Sequence, residues 1–329
     1  MSIQKYVLLL LSCLIIASCG KNKQKDTPME TKDSVAVIIP SFDADSAYQH
    51  IQTQVDFGPR TPNSKAHNAC GDYLIETMKN FGADVVVQKV DLVGFDGTIL
   101  KARNIISSYN TEKSARILLL SHWDCRPWCD QDANPANRNK AVDGANDGAS
   151  GVGVLMEIAR QLNQQLPEVG VDILFTDMED YGEPEWHSGE HKTESWCLGS
   201  QYWAKNPHIP GYHARYGILL DMVGAPNATF PKEGYSMNYA SYVVDKIWNE
   251  AQANGFSSYF VNKQGGAITD DHVPLNQIIG IPTIDIIHYN ETGFGSFWHT
   301  TNDTMENIDK TTLHAVGQTL LEVIYKETE

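Results

Sequence analysis

The chain reads VDILFTDMEDYGEPE from Val171 to Glu185, and this stretch decides how the rest is organised. It begins with apolar and β-branched residues, which predict a buried β-strand. It then turns acidic, with carboxylates at Asp177, Glu179, Asp180, Glu183 and Glu185. Carboxylates this close need a cation, raised pKa values or full solvation at neutral pH. The adjacent pair Glu179 and Asp180 suggests that one binds a metal while the other moves protons. A solvated acidic loop is the alternative for this stretch taken alone.

Further apolar strands are predicted on both sides of this stretch. The most strongly apolar are Arg116–Ser121, Ala214–Met222 and Ile281–Ile287. Amphipathic or well-capped helices are predicted between and around them, at Ala66–Phe81, Val152–Leu162, Leu198–Lys205, Tyr239–Asn254 and Asp309–Lys326. Strands that alternate with helices predict an α/β fold, here a three-layer sandwich with a mixed, largely parallel central sheet flanked by helices.

Composition limits the classes of protein that this chain can belong to. Of its 329 residues, 42 % are hydrophobic and 20 % charged, which is enough for a sizeable core. The formal net charge is -16, and no basic stripe is present, so nucleic acid is not an expected partner. With no internal repeat and no second core, we expect residues 41–329 to form a single catalytic domain.

The first residues have the pattern of an export signal. Lys5 is followed by an apolar run that is short for a membrane-spanning helix. The run ending at Cys19 resembles the lipobox of bacterial lipoproteins, which implies a signal peptide over residues 1–18 and a lipid on Cys19. Residues 19–40 are then expected to be a flexible tether. The protein is expected to be exported and held by its lipid on the periplasmic side of a membrane.

Acids and imidazoles follow the predicted strands. They are His122, Asp124, Glu179, Asp180 and Asp221, with Asp147, Asp270 and His299 on loops. In parallel sheets, ligands bind beyond the carboxyl ends of the strands. Each residue alone is more often a cap or a satisfied hydrogen-bonding group. Together, oxygen and nitrogen ligands of this kind fit catalytic zinc.

Several of these segments resemble a known superfamily. They are His122-x-Asp124, the segment 146–151, Glu179-Asp180, Asp221 and His299 followed by the segment 303–309. This pattern is similar to the zinc aminopeptidase-like (M28-type) fold. Within it the chain most resembles the glutaminyl cyclases of the animal and bacterial type, through the segments 57–60, 219–230, 270–274 and Trp298-His299.

The resemblance implies a reaction and a set of roles. These cyclases convert the N-terminal glutamine of peptides and proteins to pyroglutamate and release ammonia. By resemblance, one zinc is bound by Asp147, Asp180 and His299. Glu179 is then the general acid and base, and Asp221 and Asp270 form an acidic hydrogen-bonded pair near the reacting centre. The expected substrate-binding residues are Trp186, Trp298 and Asp285.

The chain departs from the superfamily pattern in three places. Asp180 stands where a longer Glu is common, and Asp285 stands where animal cyclases have a His near the site. The loop 182–196 is also longer than expected, so it weakens inferences about the edge of the substrate site.

Two alternatives stay open at this stage. An aminopeptidase of the same fold would bind two zinc ions, the second through His122 and Asp221, and would hydrolyse N-terminal residues with Glu179 as base. The second alternative is not an enzyme but a surface lipoprotein that binds no metal and binds peptides without turnover.

Overall fold

The computed structural model describes residues 38–189, 191–290 and 293–329, so the predicted signal peptide, Cys19 and most of the predicted tether lie outside the described part. The helices are α1 (Ala44–Asp56), α2 (Lys65–Asn80), α3 (Ala149–Gln164), α4 (Leu198–Lys205), α5 (Gly234–Ala253), α6 (His272–Pro274) and α7 (Lys310–Lys326). The strands are β1 (Asp84–Val93), β2 (Ile99–Tyr109), β3 (Arg116–His122), β4 (Gly170–Thr176), β5 (Gly217–Asp221), β6 (Phe230–Lys232), β7 (Phe260–Gln264) and β8 (Thr283–Ile287).

The main sheet, within the described ranges, has six strands in the order β1-β2-β4-β3-β5-β8. Strands β4, β3, β5 and β8 run parallel, and β2 and β1 continue the sheet antiparallel at one edge. Strands β6 and β7 pair separately. The predicted mixed, largely parallel sheet is therefore confirmed.

Alternate residues of each central strand face two different helical layers. In β3, Ile117 and Leu119 belong to the core cluster that contains residues of α1, α2, α3, α5 and α7, whereas Leu118 and Leu120 belong to a second cluster that contains Trp203 of α4. Period-two alternation in which both faces are apolar is the pattern of a sheet covered on both sides. The predicted three-layer sandwich is therefore confirmed.

The chain enters the domain before α1. The carbonyls of Ile38 and Pro40 accept hydrogen bonds from Gln165 and Gln318. Asp43 caps α1 by accepting from the backbone amides of Asp45 and Ser46, which satisfies amides that a helix start leaves unpaired. The described residues lie in one compact unit, and none of their helices is long and apolar enough to cross a membrane.

The sheet brings the predicted polar residues to one edge. His122 ends β3 opposite Thr176, which ends β4, and Asp221 ends β5 opposite Ile287 at the end of β8. Because these strands are parallel, the loops that follow them meet at the same side of the domain.

Candidate active site

The acidic stretch after β4 sends its carboxylates to different places. Asp177 accepts from the His67 imidazole at 2.9 Å and from the backbone amide of Arg103 at 2.7 Å, so it has a structural role. Glu183 accepts from the hydroxyl of Ser195. Glu179 and Asp180 are left to face the edge of the sheet.

Asp147, Asp180 and His299 come together at that edge. One ligand atom from each lies within 4.8 Å of the other two. The Nε2 atom of His299 is 3.4 Å from Asp147 Oδ2 and 3.4 Å from Asp180 Oδ1. All three side chains are buried. The arrangement offers one nitrogen and two carboxylates to a single point.

This cluster has the properties of a zinc site with an open position. Both carboxyl oxygens of Asp180 are buried, and neither makes a hydrogen bond with good geometry among the described residues. Oδ1 has only long ionic contacts, to His299 Nε2 at 3.4 Å and to Arg126 Nη1 at 3.5 Å. A buried carboxylate that is so weakly paired is costly, and a bound cation would stabilise it. Burial opposes the charged imidazolium of His299, but the carboxylates of Asp180, Asp130 and Asp147 outweigh it and raise the pKa to about 10. A divalent cation at this point would replace that proton.

A buried chain of side chains orients His299. Its Nδ1 lies 3.2 Å from Asp130 Oδ1, and Asp130 accepts from Arg126 Nε at 3.1 Å. Arg126 also donates to the carbonyls of Asp180 at 3.1 Å and of Gly182 at 3.2 Å, so one guanidinium holds both sides of the cluster. Burial would raise the pKa of Asp130, but the bonds from His299 and Arg126 lower it. A carboxylate behind the imidazole fixes its tautomer and makes it a better ligand.

Arg126 and Asp130 are not among the site residues predicted from the sequence. Both lie in the loop after β3, where Asn, Asp and Pro are frequent and charged residues are easily assigned to solvent. Their i,i+4 spacing in the sequence is compatible with an ion pair, and in the structure they form one that is buried.

Asp147 is held in place through its backbone. The amides of Asn146 and Asp147 donate to the carboxylate of Asp303 at 2.8 and 3.1 Å. Gly148 follows with a φ of +78°, and a Cβ there would meet the His122 ring at 2.8 Å. The glycine therefore lets the loop turn directly against the imidazole at the end of β3.

A second group of possible ligands lies beside the first. His122 Nε2 is 3.0 Å from Asp147 Oδ1 and 3.1 Å from Asp221 Oδ1. Burial disfavours the charged form of His122, but its bonds to Asp124, Asp147 and Asp221 raise the pKa well above its usual value. The His122 imidazole therefore lies closer to its two carboxylates than the His299 imidazole, which is 3.4 Å from each of its own.

Asp124 supports the acidic stretch from behind. Its carboxylate accepts from the amides of Glu179 and Asp180, each at 3.2 Å. Because one carboxylate accepts both bonds, it fixes the backbone at the point where the side chains of Glu179 and Asp180 diverge.

A cavity of about 400 Å³ lies over the first cluster. Among its described lining residues are Asp147, Glu179, Asp180, Asp221, Asp270, Trp196, Trp298 and His299. Burial raises the pKa of Glu179 well above its usual value, and the nearby Asp270 and Asp180 add to the shift. A carboxyl group whose pKa is raised is better suited to take a proton and return it.

Two further acids close one side of the cavity. Burial raises the pKa of Asp221 to about 6 despite its bond to His122. Burial, followed by the charges of Asp221 and Asp271, raises the pKa of Asp270 well above its usual range. No direct hydrogen bond joins Asp221 to Asp270 among the described contacts. Asp271 anchors this loop by accepting from the hydroxyls of Thr176 and Ser200.

Aromatic rings form the walls. Trp298 stacks on the His299 ring at a centroid distance of 3.8 Å, and Trp196 lies parallel to the same ring at 6.4 Å. Trp186, which the sequence analysis selected, is 41 % exposed and is not among the described lining residues. Gly182 admits Trp196, because a Cβ there would meet its indole at 1.9 Å. Both tryptophans lie in the long loop 182–196, so residue type alone did not separate them.

Asp285 lies behind the cavity and not on its surface. It pairs with Leu219 in the sheet register, two residues before the end of β8, and is fully buried. Neither of its carboxyl oxygens has a described partner. Burial, together with Asp270, Asp221 and Glu233, raises its pKa well above the usual range. Its predicted substrate contact stays a prediction.

The backbone is strained at this site. Four described residues other than glycine and asparagine have a positive φ. They are Met178, Cys197, Met222 and His299. Each of them either lines the cavity or is the chain neighbour of a residue that does. Left-handed backbone at bulky residues costs free energy, and it is typical of functional sites.

Comparisons with known proteins agree with this geometry. A family model described as peptidase family M28 matches residues 104–324. A glutaminyl-peptide cyclotransferase from Bos taurus is 27 % identical over 289 residues, which are 79 % of this chain and 76 % of that protein. A glutaminyl cyclase from Bacteroides thetaiotaomicron, solved with N-acetylhistamine bound, is 56 % identical with a TM-score of 0.88, over 88 % of this chain and 100 % of that one. A Zn-dependent exopeptidase from Parabacteroides distasonis is 54 % identical with a TM-score of 0.87, again over 88 % and 100 %.

Proposed function

The chain belongs to peptidase family M28, and from that premise we infer that it is a zinc-dependent glutaminyl cyclase. It closes the N-terminal glutamine of peptides and proteins to pyroglutamate and releases ammonia. The observation that carries this conclusion is the 56 % identity to a bacterial glutaminyl cyclase over that protein's whole solved length. The cavity, with its buried acids and aromatic walls, is consistent with it.

We assign the zinc to Asp147, Asp180 and His299. The buried carboxylate of Asp180, which has only two long ionic contacts through Oδ1, supports this assignment. When bound, zinc supplies a Lewis acid that polarises the side-chain amide carbonyl of the substrate. We infer one zinc, as the resemblance to the cyclases implies, with His122 left to bridge Asp147 and Asp221.

Glu179 is the group that moves protons. In the reaction, the α-amino nitrogen forms a bond to the side-chain amide carbon, and the bond from that carbon to the amide nitrogen breaks. Glu179 accepts a proton from the attacking amine and returns one to the departing nitrogen, which leaves as ammonia. Its raised pKa lets one carboxyl group serve both steps.

The other lining residues orient the substrate and exclude water. The carboxyl groups of Asp221 and Asp270, whose pKa values burial raises, are placed to accept hydrogen bonds from the N–H groups of the substrate amide. Trp298 and Trp196 keep water from hydrolysing the amide. Because attacker and target belong to one residue, holding that residue in a folded conformation lowers the barrier by itself.

The test is the product formed from a peptide that begins with glutamine. Mass spectrometry is expected to show loss of one ammonia from the intact peptide with the full-length protein. The Glu179→Gln variant is expected to be slower by about 10²- to 10⁴-fold. Formation of a shortened peptide and a free amino acid would contradict the conclusion.

That outcome would support an aminopeptidase, the second candidate. The observation that favours it is the group His122, Asp147 and Asp221, whose ligand atoms also lie within 4.8 Å of one another. A solved relative is described as a Zn-dependent exopeptidase. Glu179 would then serve as the base for hydrolysis.

We also propose that the protein is an exported lipoprotein with its lipid on Cys19, on the periplasmic side of a membrane. The support is the lipobox-like run that ends at Cys19. The Cys19→Ala variant is expected to leave the detergent-soluble membrane fraction. Unchanged fractionation of that variant would contradict the proposal.

A further inference from the structure

Glu179, the proposed proton carrier, makes one side-chain hydrogen bond among the described contacts. The donor is Cys197, whose Sγ lies 3.3 Å from Glu179 Oε1. Cys197 is unpaired and 2 % exposed. The resemblance to known families assigns no role to this cysteine.

We propose that Cys197 is a positioning residue that keeps Oε1 of Glu179 as a hydrogen-bond acceptor and leaves Oε2 to exchange protons with the substrate. The proposal rests on the proposed function of Glu179. It deepens that function by assigning the transferred proton to one oxygen.

The backbone fixes the pair independently of the thiol. The amide of Cys197 donates to the carbonyl of Glu179 at 3.0 Å, and the amide of Leu198 donates to the carbonyl of Met178 at 3.0 Å. Met178 and Cys197 have φ values of +58° and +56°. Two left-handed turns therefore lie side by side and are joined by two hydrogen bonds, so the Cys197 side chain starts from a defined place.

The start of α4 holds the other side of this arrangement. The hydroxyl of Ser200 donates to Asp271 Oδ1 at 2.5 Å, and its oxygen lies 3.0 Å from the Cys197 carbonyl oxygen. Asp271 belongs to the loop that carries Asp270 into the cavity. The backbone of Cys197 is thus bonded to the loop of Glu179 directly and to the loop of Asp271 through Ser200.

The chemistry of the thiol suits a donor and not a nucleophile. Burial, and then the charges of Glu179, Asp271 and Asp270, raise the pKa of Cys197 well above its usual value. The thiol therefore stays protonated and can donate a weak hydrogen bond to a carboxylate. Its own proton is not transferred. Oε2 has no described hydrogen-bond partner, so it is the oxygen that remains for the substrate.

The kinetic test compares two substitutions at this position. Cys197→Ala removes the donor and is expected to lower kcat for ammonia release by about 5- to 10-fold with less than about a 2-fold change in KM. Cys197→Ser supplies a hydroxyl donor and is expected to stay within about 2-fold of wild type. Cys70→Ala is the matched control, because Cys70 is a fully buried core thiol that makes no hydrogen bond among the described contacts. A wild-type kcat in Cys197→Ala, or an equal loss in Cys197→Ser, would overturn the proposal.

A second measurement does not depend on activity or on a folded Cys197 variant. The S–H stretching band in the infrared spectrum of the full-length protein is compared with that of Glu179→Gln. We expect one thiol band in wild type to lie at lower frequency and to move to higher frequency in the variant, because an amide accepts more weakly than a carboxylate. No movement would overturn the proposal. A wild-type protein without cyclase activity that still shows this movement would refute the proposed function alone.

Discussion

Glu179 and Asp180 are neighbours in sequence, yet their carboxyl groups lie in different surroundings. The left-handed turn at Met178 and the two bonds from Asp124 separate them, so that Asp180 faces Asp147 and His299 while Glu179 contacts Cys197. The sequence predicted that these acids divide two roles. It could not show which neighbours produce that division, because Asp124, Asp130 and Cys197 reach the site through long-range contacts.

At the residue scale, we expect Asp130 to control zinc affinity through His299. Asp130→Asn removes the negative charge behind Nδ1 while keeping the size of the side chain. Zinc affinity is expected to fall by about 10- to 100-fold, because the imidazole loses the partner that orients it. Competition with a chromophoric chelator measures the change.

The control is Asp245→Asn, an exposed carboxylate paired with Lys232 at 2.8 Å and placed on α5. Its zinc affinity is expected to match wild type. Equal zinc affinity in wild type and Asp130→Asn would show that the contact between Asp130 and His299 does not affect zinc binding.

At the scale of elements, α5 shows what periodicity reveals and what it misses. The sequence predicted a helix from Tyr239 to Asn254, whereas the structure begins it at Gly234. Ala240 has a non-helical φ of -146°, so the first turn lies beyond a kink. Glu233 stabilises that first turn, and a glutamate cap is not a strong sequence signal because Ser, Thr, Asp and Asn are the usual caps.

Glu233 also connects α5 to the wall of the cavity. Its carboxylate accepts from the amides of Tyr235 and Ser236 at 2.8 and 2.6 Å and from the amide of Ile268 at 2.8 Å. Ile268 lines the cavity beside Asp270. The same carboxylate therefore starts a helix and places a loop of the site.

We expect Glu233→Gln to lower the free energy of unfolding by about 2 kcal/mol at neutral pH, because a neutral amide accepts these bonds more weakly. Burial opposes ionisation of Glu233, but bonding to His272 and to Ser236 lowers its pKa from 4.5 to about 2. A carboxyl whose pKa is lowered by folding contributes stability above its unfolded pKa and loses it as the pH falls. The difference in the free energy of unfolding between wild type and Glu233→Gln should therefore shrink as the pH falls from 4.5 to about 2.

Urea unfolding across this pH window measures the effect. Asp43→Asn is the comparison, since Asp43 caps α1 with two bonds at an exposed position and should cost less than about 1 kcal/mol. If the difference in free energy of unfolding between wild type and Glu233→Gln is the same at every pH, the role given to Glu233 is refuted.

At the scale of the whole molecule, the arrangement of layers followed from the sequence because four strands are apolar on both faces. Runs such as RILLLS at Arg116 can only be buried between two helical layers. The small β6–β7 sheet was missed, because Phe230–Lys232 and Phe260–Gln264 are short and partly polar. The positions of Trp196 and Asp285 also escaped prediction, since they depend on one loop conformation and on strand register.

The central claim is that one zinc, bound by Asp147, Asp180 and His299, serves a cyclase. The measurement that tests it most directly is a titration of the metal-free full-length protein with zinc, while ammonia and free amino acids released from a glutamine-initiated peptide are both recorded. We predict that ammonia release saturates at one equivalent of zinc and that no amino acid is released. Activity that needs a second equivalent, or release of the N-terminal residue, would contradict the account.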